Sequence, residues 1–266
     1  MKLRKLLSIF AGLVLLFLII LAYNYSIIPT SPYTWLSEAY VPGRGDRVLV
    51  FAPHPDDETI AAGGYISRSV QAGALLKIVL VTDGNRHGLE AKRYQEFRTA
   101  TGLLGVALNQ LSFWGYPDGK LERRAGDLEV QVDSEMRGFK PTVVVYPHPA
   151  DRHPDHAVLG RVVEKLLPGM LETDPTIVPY RYLVHYRQYP RYSLAGRPTV
   201  LLPPPSLLGI DQQWMTYRLT PEEKMVKRLA LDSYRTQLKN PFLRPLLHNL
   251  LRDNELMALR KTIRKE

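Results

Sequence analysis

The sequence predicts an α/β protein: a mostly parallel sheet with helices on both faces, preceded by one N-terminal transmembrane helix. Three observations carry this reading. Short continuous runs of Val, Ile and Leu at 47–52, 75–82 and 142–146 alternate with helix-length segments, as strands buried on both faces do. The first and last of these runs end in turns rich in His, Asp and Pro, where open parallel sheets place their ligand chemistry. A separate run, residues 6–23, is uncharged and almost wholly apolar behind Lys2, Arg4 and Lys5. The pattern is that of a Rossmann-like sheet carried on an anchor.

Taken in order, residues 6–23 have the ~18–20 apolar positions a helix needs to cross a bilayer core. The next charge is Glu38, so the positive-inside rule leaves the N-terminus in the cytoplasm and the remainder outside it. The bulky Leu21-Ala22-Tyr23-Asn24-Tyr25 lacks the small-residue pattern of a signal cleavage site. Residues 1–28 are therefore expected to be a cytoplasmic stub and single-pass membrane anchor. Residues 29–45, rich in Pro, Gly, Ser and Tyr, read as a linker.

From residue 46 strands and helices alternate. Strand is expected at 47–52, helix at 59–72, strand at 75–82, and helix at 90–104 closed by Gly105. A short strand at 110–113, a helix at 126–138, a strand at 142–146 and a helix at 156–167 follow. Further on, 181–185 and 199–202 read as strands. Pro221 directly after Thr220 starts a helix over 221–238. Residues 242–263 carry leucines at 243, 246, 247, 250 and 251 among Arg and Lys, predicting an amphipathic basic helix. The globular domain is expected over 46–240, with 241–266 as this C-terminal helix, packed on the domain or lying on a membrane.

Composition narrows the chemistry. The 266 residues include no cysteine, so disulfides and thiolate-bound metals are excluded and any metal must use His, Asp or Glu. The net charge of +9 is spread along the chain. No zinc-finger spacing or aromatic nucleic-acid-binding strand accompanies it, so nucleic acid is not an expected partner.

Two clusters carry the candidate site. After the first strand comes His54-Pro55-Asp56-Asp57-Glu58, and after the third comes His148-Pro149-Ala150-Asp151-Arg152-His153-Pro154-Asp155-His156. His54 and Asp57 stand three residues apart across a turn, and imidazole and carboxylate both suit zinc, which in catalytic sites takes three protein ligands and keeps one position open. His156 is the best candidate for the third. Asp56 has two readings, a free carboxylate beside the metal or a cap of the following helix. His148 and Asp151 are candidates for orienting the ligands, whereas His87, His185 and His248 belong to no constellation.

The motifs Ala52-Pro53-His54-Pro55-Asp56-Asp57-Glu58 and His153-Pro154-Asp155-His156 resemble those of the zinc-dependent N-acetylglucosaminyl deacetylases of the PIG-L/LmbE type. Pro53 stands where the family runs directly from Ala to His. Arg93-x-x-Glu96 with Ala100, Leu104-Gly105-Val106, and Gly115-Tyr116-Pro117-Asp118-Gly119 add weaker matches, and residues 227–238 a loose one. The resemblance implies zinc held by His54, Asp57 and His156, with Asp56 as the general base for a water that attacks an amide carbonyl. It implies that His153 stabilises or protonates the reacting centre, oriented by Asp155, and that Arg93 lies near substrate. The implied activity is that of a membrane-anchored hydrolase removing the acetyl group from an N-acetylated amino-sugar, free, lipid-linked or polymeric. An amidase acting on another amide shares these features. A metal-dependent sugar-nucleotide transferase explains Asp56-Asp57 but not the histidines, since hard divalent ions prefer oxygen ligands. A degenerate domain that binds glycan without cutting it would have lost a ligand or the base, yet every position is filled.

Overall fold

The computed structural model describes residues 2–26, 35–85, 88–187, 189–190, 199–209, 212–241 and 243–260. Eight strands form one sheet in the order β1-β7-β8-β6-β5-β2-β3-β4. They are β1 (Ser37–Glu38), β2 (Arg47–Ala52), β3 (Leu75–Thr82), β4 (Leu111–Tyr116), β5 (Val143–Pro147), β6 (Val178–Tyr182), β7 (Gln212–Arg218) and β8 (Asn254–Arg260). Every pairing is parallel except the two made by β8.

Alternation along the strands sorts side chains into two cores. Val48, Val50, Leu76, Ile78, Leu80, Val143 and Val145 face one layer, built from α2 (Asp57–Gln71), α3 (Glu90–Leu103) and α6 (Pro221–Asp232). Leu49, Phe51, Val79, Val81, Val144 and Tyr146 face the other, where α4 (Ala125–Phe139) and α5 (Pro154–Thr173) pack. Both faces of the sheet are therefore dry, which is why its strands read as continuous apolar runs. The helix starts behave as their sequences dictate: Pro154 and Pro221 occupy first-turn positions, and Thr220 and Glu223 form a reciprocal capping box.

The chain runs β2, β3, β4 toward one edge and then returns to place β5 on the other side of β2. This reversal puts a topological switch point between β2 and β5, the crevice where such sheets bind ligands at strand C-terminal ends. The two His/Asp turns flank it.

Three expectations are corrected. Residues 242–263 are not one amphipathic helix: α8 (Leu243–Leu250) is short, and β8 inserts between β6 and β7. Glu, Leu, Met and Ala favour helix in isolation, but residues 254–258 are buried and paired with β7, and 257–259 pair with β6 as well, so tertiary context overrides propensity. Residues 261–263 lie outside the described residues. Residues 199–202 form no strand; β7 instead takes the place beside β8.

The third correction concerns the transmembrane helix. Among the described residues no helix is long and apolar enough to cross a membrane. Helix α1 (Lys2–Ser26) does form, with exposed apolar side chains behind Arg4 and Lys5. Of the expected linker, residues 29–34 lie outside the described residues, while Ser37–Glu38 form the edge strand on β7.

Helix α2 is broken at Ala62, whose backbone (φ −144°, ψ 23°) is not helical. The free amides of Gly64 and Tyr65 beyond the break donate to Glu255 on β8 at 2.7 and 2.9 Å. Gly63 and Gly64 serve packing here: a Cβ on Gly64 would meet Leu219 Cδ2 at 2.1 Å, and one on Gly63 would meet the Lys227 stem at 3.2 Å.

Candidate metal centre

The turn after β2 and the start of α5 bring three donor atoms together at the switch point. His54 Nδ1 lies 3.1 Å from Asp57 Oδ2. His156 Nε2 lies 3.0 Å from the same oxygen and 3.3 Å from His54 Nδ1. Ligand atoms around a tetrahedral zinc ion, each about 2.0–2.1 Å from it, stand about 3.3 Å apart. The donors converge at about the separation zinc requires, and their borderline-soft N/N/O chemistry suits that ion.

Electrostatics point the same way. The Asp57 carboxyl is pushed up by burial, but His156 and His54 outweigh this and hold it well below its usual value. Burial opposes protonation of His54, yet hydrogen bonds to Asp155 and Asp57 hold it up at about 9. His156, pushed down by burial, is raised well above its ordinary value by Asp57 and Asp151. The pocket is organised for positive charge between these side chains, and a metal competes for it with protons.

The surrounding shell fixes the donors. Asp57 Oδ2 also accepts the His54 amide at 2.9 Å, closing the turn on itself. Asp155 Oδ2 stands 3.1 Å from His54 Nε2, and the carboxylate is itself held by the amides of Gly119 (2.7 Å) and Leu121 (3.1 Å). Asp155 therefore faces His54 and not His153, its expected partner. Asp151 sits 3.4 Å from His156 Nδ1, at ion-pair distance without hydrogen-bond geometry. Its oxygens accept the amides of His153, Val184 and His185.

Asp56 immediately precedes α2 but makes no capping hydrogen bond. It is buried, with Arg93 Nη2 3.6 Å away. Burial pushes its carboxyl up to about 8, opposed by Arg93. His153 stacks edge-on against His54 with ring centroids 4.4 Å apart, and burial followed by the His54 charge pushes it down to about 3. Arg93 donates to the carbonyls of Pro55 (2.8 Å) and Gly84 (3.2 Å) and approaches Asp118 at 3.7 Å. Gly84 is held at φ 59°, and a Cβ there would press on Pro55 and Arg93 at 2.9–3.0 Å.

All seven expected site residues thus converge on one edge of the sheet. Two other expectations fail. His148 bonds Gln212 (2.9 Å) and stacks on Trp214 instead of orienting a ligand. His185, assigned to no constellation, packs 5.0 Å from the His156 ring and can share a metal with Asp57 and His156. Asp118 also reaches the centre, 3.5 Å from His54 Nε2. His185 follows β6 and Asp118 follows β4, so strand-end position alone signals both.

Residues 49–167 match the PIG-L family, described as GlcNAc-PI de-N-acetylase. A probable N-acetyl-alpha-D-glucosaminyl L-malate deacetylase 2 of Bacillus anthracis is 31% identical over 135 residues, 46% of this chain and 59% of that protein. Diacetylchitobiose deacetylase of Thermococcus kodakarensis is 28% identical over 43% of this chain and 46% of its own length. The chain thus spans about half the length of these curated relatives. Among solved structures, the N,N′-diacetylchitobiose deacetylase of Pyrococcus horikoshii superposes with TM-score 0.57 at 21% identity, covering 91% of each chain. The zinc-inhibited form of a teicoplanin deacetylase gives 0.61 at 15% identity, over 83% of this chain and all of the other. Those structures share the fold, and residues 49–167 of this chain match the PIG-L family in sequence.

Proposed function

We propose that this protein is a zinc-dependent hydrolase that removes the acetyl group from an N-acetylated amino-sugar. The observation that carries the reading is the triangle of His54 Nδ1, Asp57 Oδ2 and His156 Nε2, with sides of 3.0–3.3 Å, beside an uncapped Asp56 carboxylate. Zinc supplies Lewis acidity and lowers the pKa of water toward ~7. His54, Asp57 and His156 hold the ion, and Asp155 fixes the His54 ring. Asp56 takes the proton from the attacking water and passes it to the amide nitrogen as the C–N bond breaks, releasing acetate and the free amine. Burial raises its carboxyl to about 8 against the opposing pull of Arg93, and a raised pKa suits a group that must hold a proton taken from water.

His153 is uncharged in this setting and presents an N–H to the oxygen of the breaking amide, as an oxyanion-stabilising group does. Arg93 borders the space between Asp56 and Asp118, where it meets substrate hydroxyls. An N-acetylglucosamine unit as the substrate class follows from what the relatives act on by name, a glucosaminyl malate and a chitobiose. The test is acetate release by the full chain from N-acetylglucosamine, N,N′-diacetylchitobiose and N-acetylglucosaminyl glycosides, with chelator and zinc re-addition. Chelator-sensitive release restored by zinc is the expected result. Stoichiometric zinc with no release from any of them would move the activity to another amide.

A separate observation concerns location. Leu6, Phe10, Leu13 and Phe17 of α1 are 58–66% exposed, behind Arg4 and Lys5. We infer that this helix lies against a lipid bilayer and attaches the protein to it. Full-length protein should float with phosphatidylcholine–phosphatidylglycerol vesicles, and Leu13→Glu/Phe17→Glu should not. Equal recovery of both in the vesicle-free fraction would remove this reading.

A further inference from the structure

Among the described residues only Asp56 and Lys140 have positive φ without being glycine. Lys140, at φ 53° and ψ 62°, ends α4 in the ordinary left-handed region. Asp56, at φ 128° and ψ −28°, lies outside it. A residue with a Cβ remains there only where its surroundings over-determine the backbone. The conformation has a consequence: an extended Asp in this place would cap α2, whereas this one directs its carboxylate to Arg93.

The contacts that hold it can be traced. Arg93 donates to the Pro55 carbonyl, and the Ile60 amide donates to the Asp56 carbonyl at 2.9 Å. The Asp56 amide faces Glu58 Oε2 at 3.3 Å. Glu58 is wholly buried, and its other oxygen lies 2.5 Å from both the Thr59 and Tyr234 hydroxyls. Tyr234, also wholly buried, comes from the far end of the chain, within the 227–238 segment that the chemistry of the site leaves unexplained.

We propose that Glu58 and Tyr234 are positioning residues for Asp56. Tyr234 fixes the Glu58 carboxylate, and Glu58 holds the Asp56 amide, keeping Asp56 off the helix terminus and its carboxylate in the site. The inference rests on reading Asp56 as the general base. The C-terminal segment is thereby part of the working of the site as well as of the core.

The test uses zinc-loaded full chain as wild type, Tyr234→Phe, Glu58→Gln and Glu58→Leu. With N,N′-diacetylchitobiose, Tyr234→Phe should lower kcat about 10-fold and Glu58→Leu about 100-fold. KM and bound zinc should stay within about twofold of wild type, and Glu58→Gln, which keeps an acceptor for the Asp56 amide, should recover much of the loss. Crystal structures of the variants supply a readout independent of turnover: Asp56 should leave positive φ in Glu58→Leu and move part of the way out of it in Tyr234→Phe. If Glu58→Leu does not fold, Tyr234→Phe alone decides. Wild-type inactivity on every substrate would sink the deacetylase reading, with the Asp56 conformation still judging this one. Asp56 unmoved in the folded variants overturns the positioning role, as does a fall in bound zinc parallel to kcat.

Discussion

Lys227 and Glu255 form an ion pair of 2.7 Å in which neither side chain is reached by solvent. Glu255 stands on the one antiparallel strand and simultaneously takes the amides of Gly64 and Tyr65 beyond the break in α2. One buried carboxylate thus joins α6, β8 and the helix that carries the metal-binding turn. Its charge is tolerated because cation and amides together replace the water it gave up.

Removing the cation leaves that carboxylate uncompensated. Lys227→Met should cost about 3–5 kcal/mol of stability, read from the urea midpoint. A loss under about 1 kcal/mol would mean that the two amides alone satisfy Glu255.

Metal binding and turnover should separate by residue. His156→Ala should lose both bound zinc and acetate release, whereas Asp56→Ala should bind one zinc per chain and release acetate at under about 1% of the wild-type rate. Metal analysis of dialysed protein alongside initial rates checks both. Full activity in Asp56→Ala would take it out of the mechanism.

Asp155 should act on affinity. Its carboxylate faces His54 Nε2 while two amides hold it, so Asp155→Asn should weaken zinc binding about 10–100-fold. Competition against a chromophoric chelator measures this, and unchanged affinity would leave Asp155 with a loop-holding role only.

Acid should expose a different tie. Asp46 is pushed up by burial, but the Gly43 amide and the hydroxyls of Tyr40 and Thr142 outweigh this and hold it below its ordinary 3.8. A depressed carboxyl contributes stability above its unfolded pKa and loses it as pH falls through the folded value. Asp46→Asn should therefore lower Tm by about 1–4 °C at pH 7. The difference should close as the pH drops below about 4, scanned by calorimetry from pH 7 to 3.

Much of this molecule is local in origin. The β2, β3 and β5 runs are legible because burial on both faces leaves uninterrupted apolar stretches, and Pro154 and Pro221 mark helix starts wherever they fall. His54, Asp57 and His156 are legible because they sit in turns that follow such strands. Residues 254–260 were not, since Glu255 and the run Leu256-Met257-Ala258 favour helix until β6 and β7 supply partners for both edges.

By itself the sequence determined the alternation of strands and helices, the two His/Asp turns, and the residue types able to hold a metal. These depend on neighbours a few positions away, through side-chain periodicity and turn chemistry. Only the tertiary structure placed the Asp155 carboxylate against His54, the His185 ring beside His156, and the Tyr234 hydroxyl on Glu58 across 176 residues. Those pairings depend on strand order and helix packing, which bring together groups that no local spacing relates.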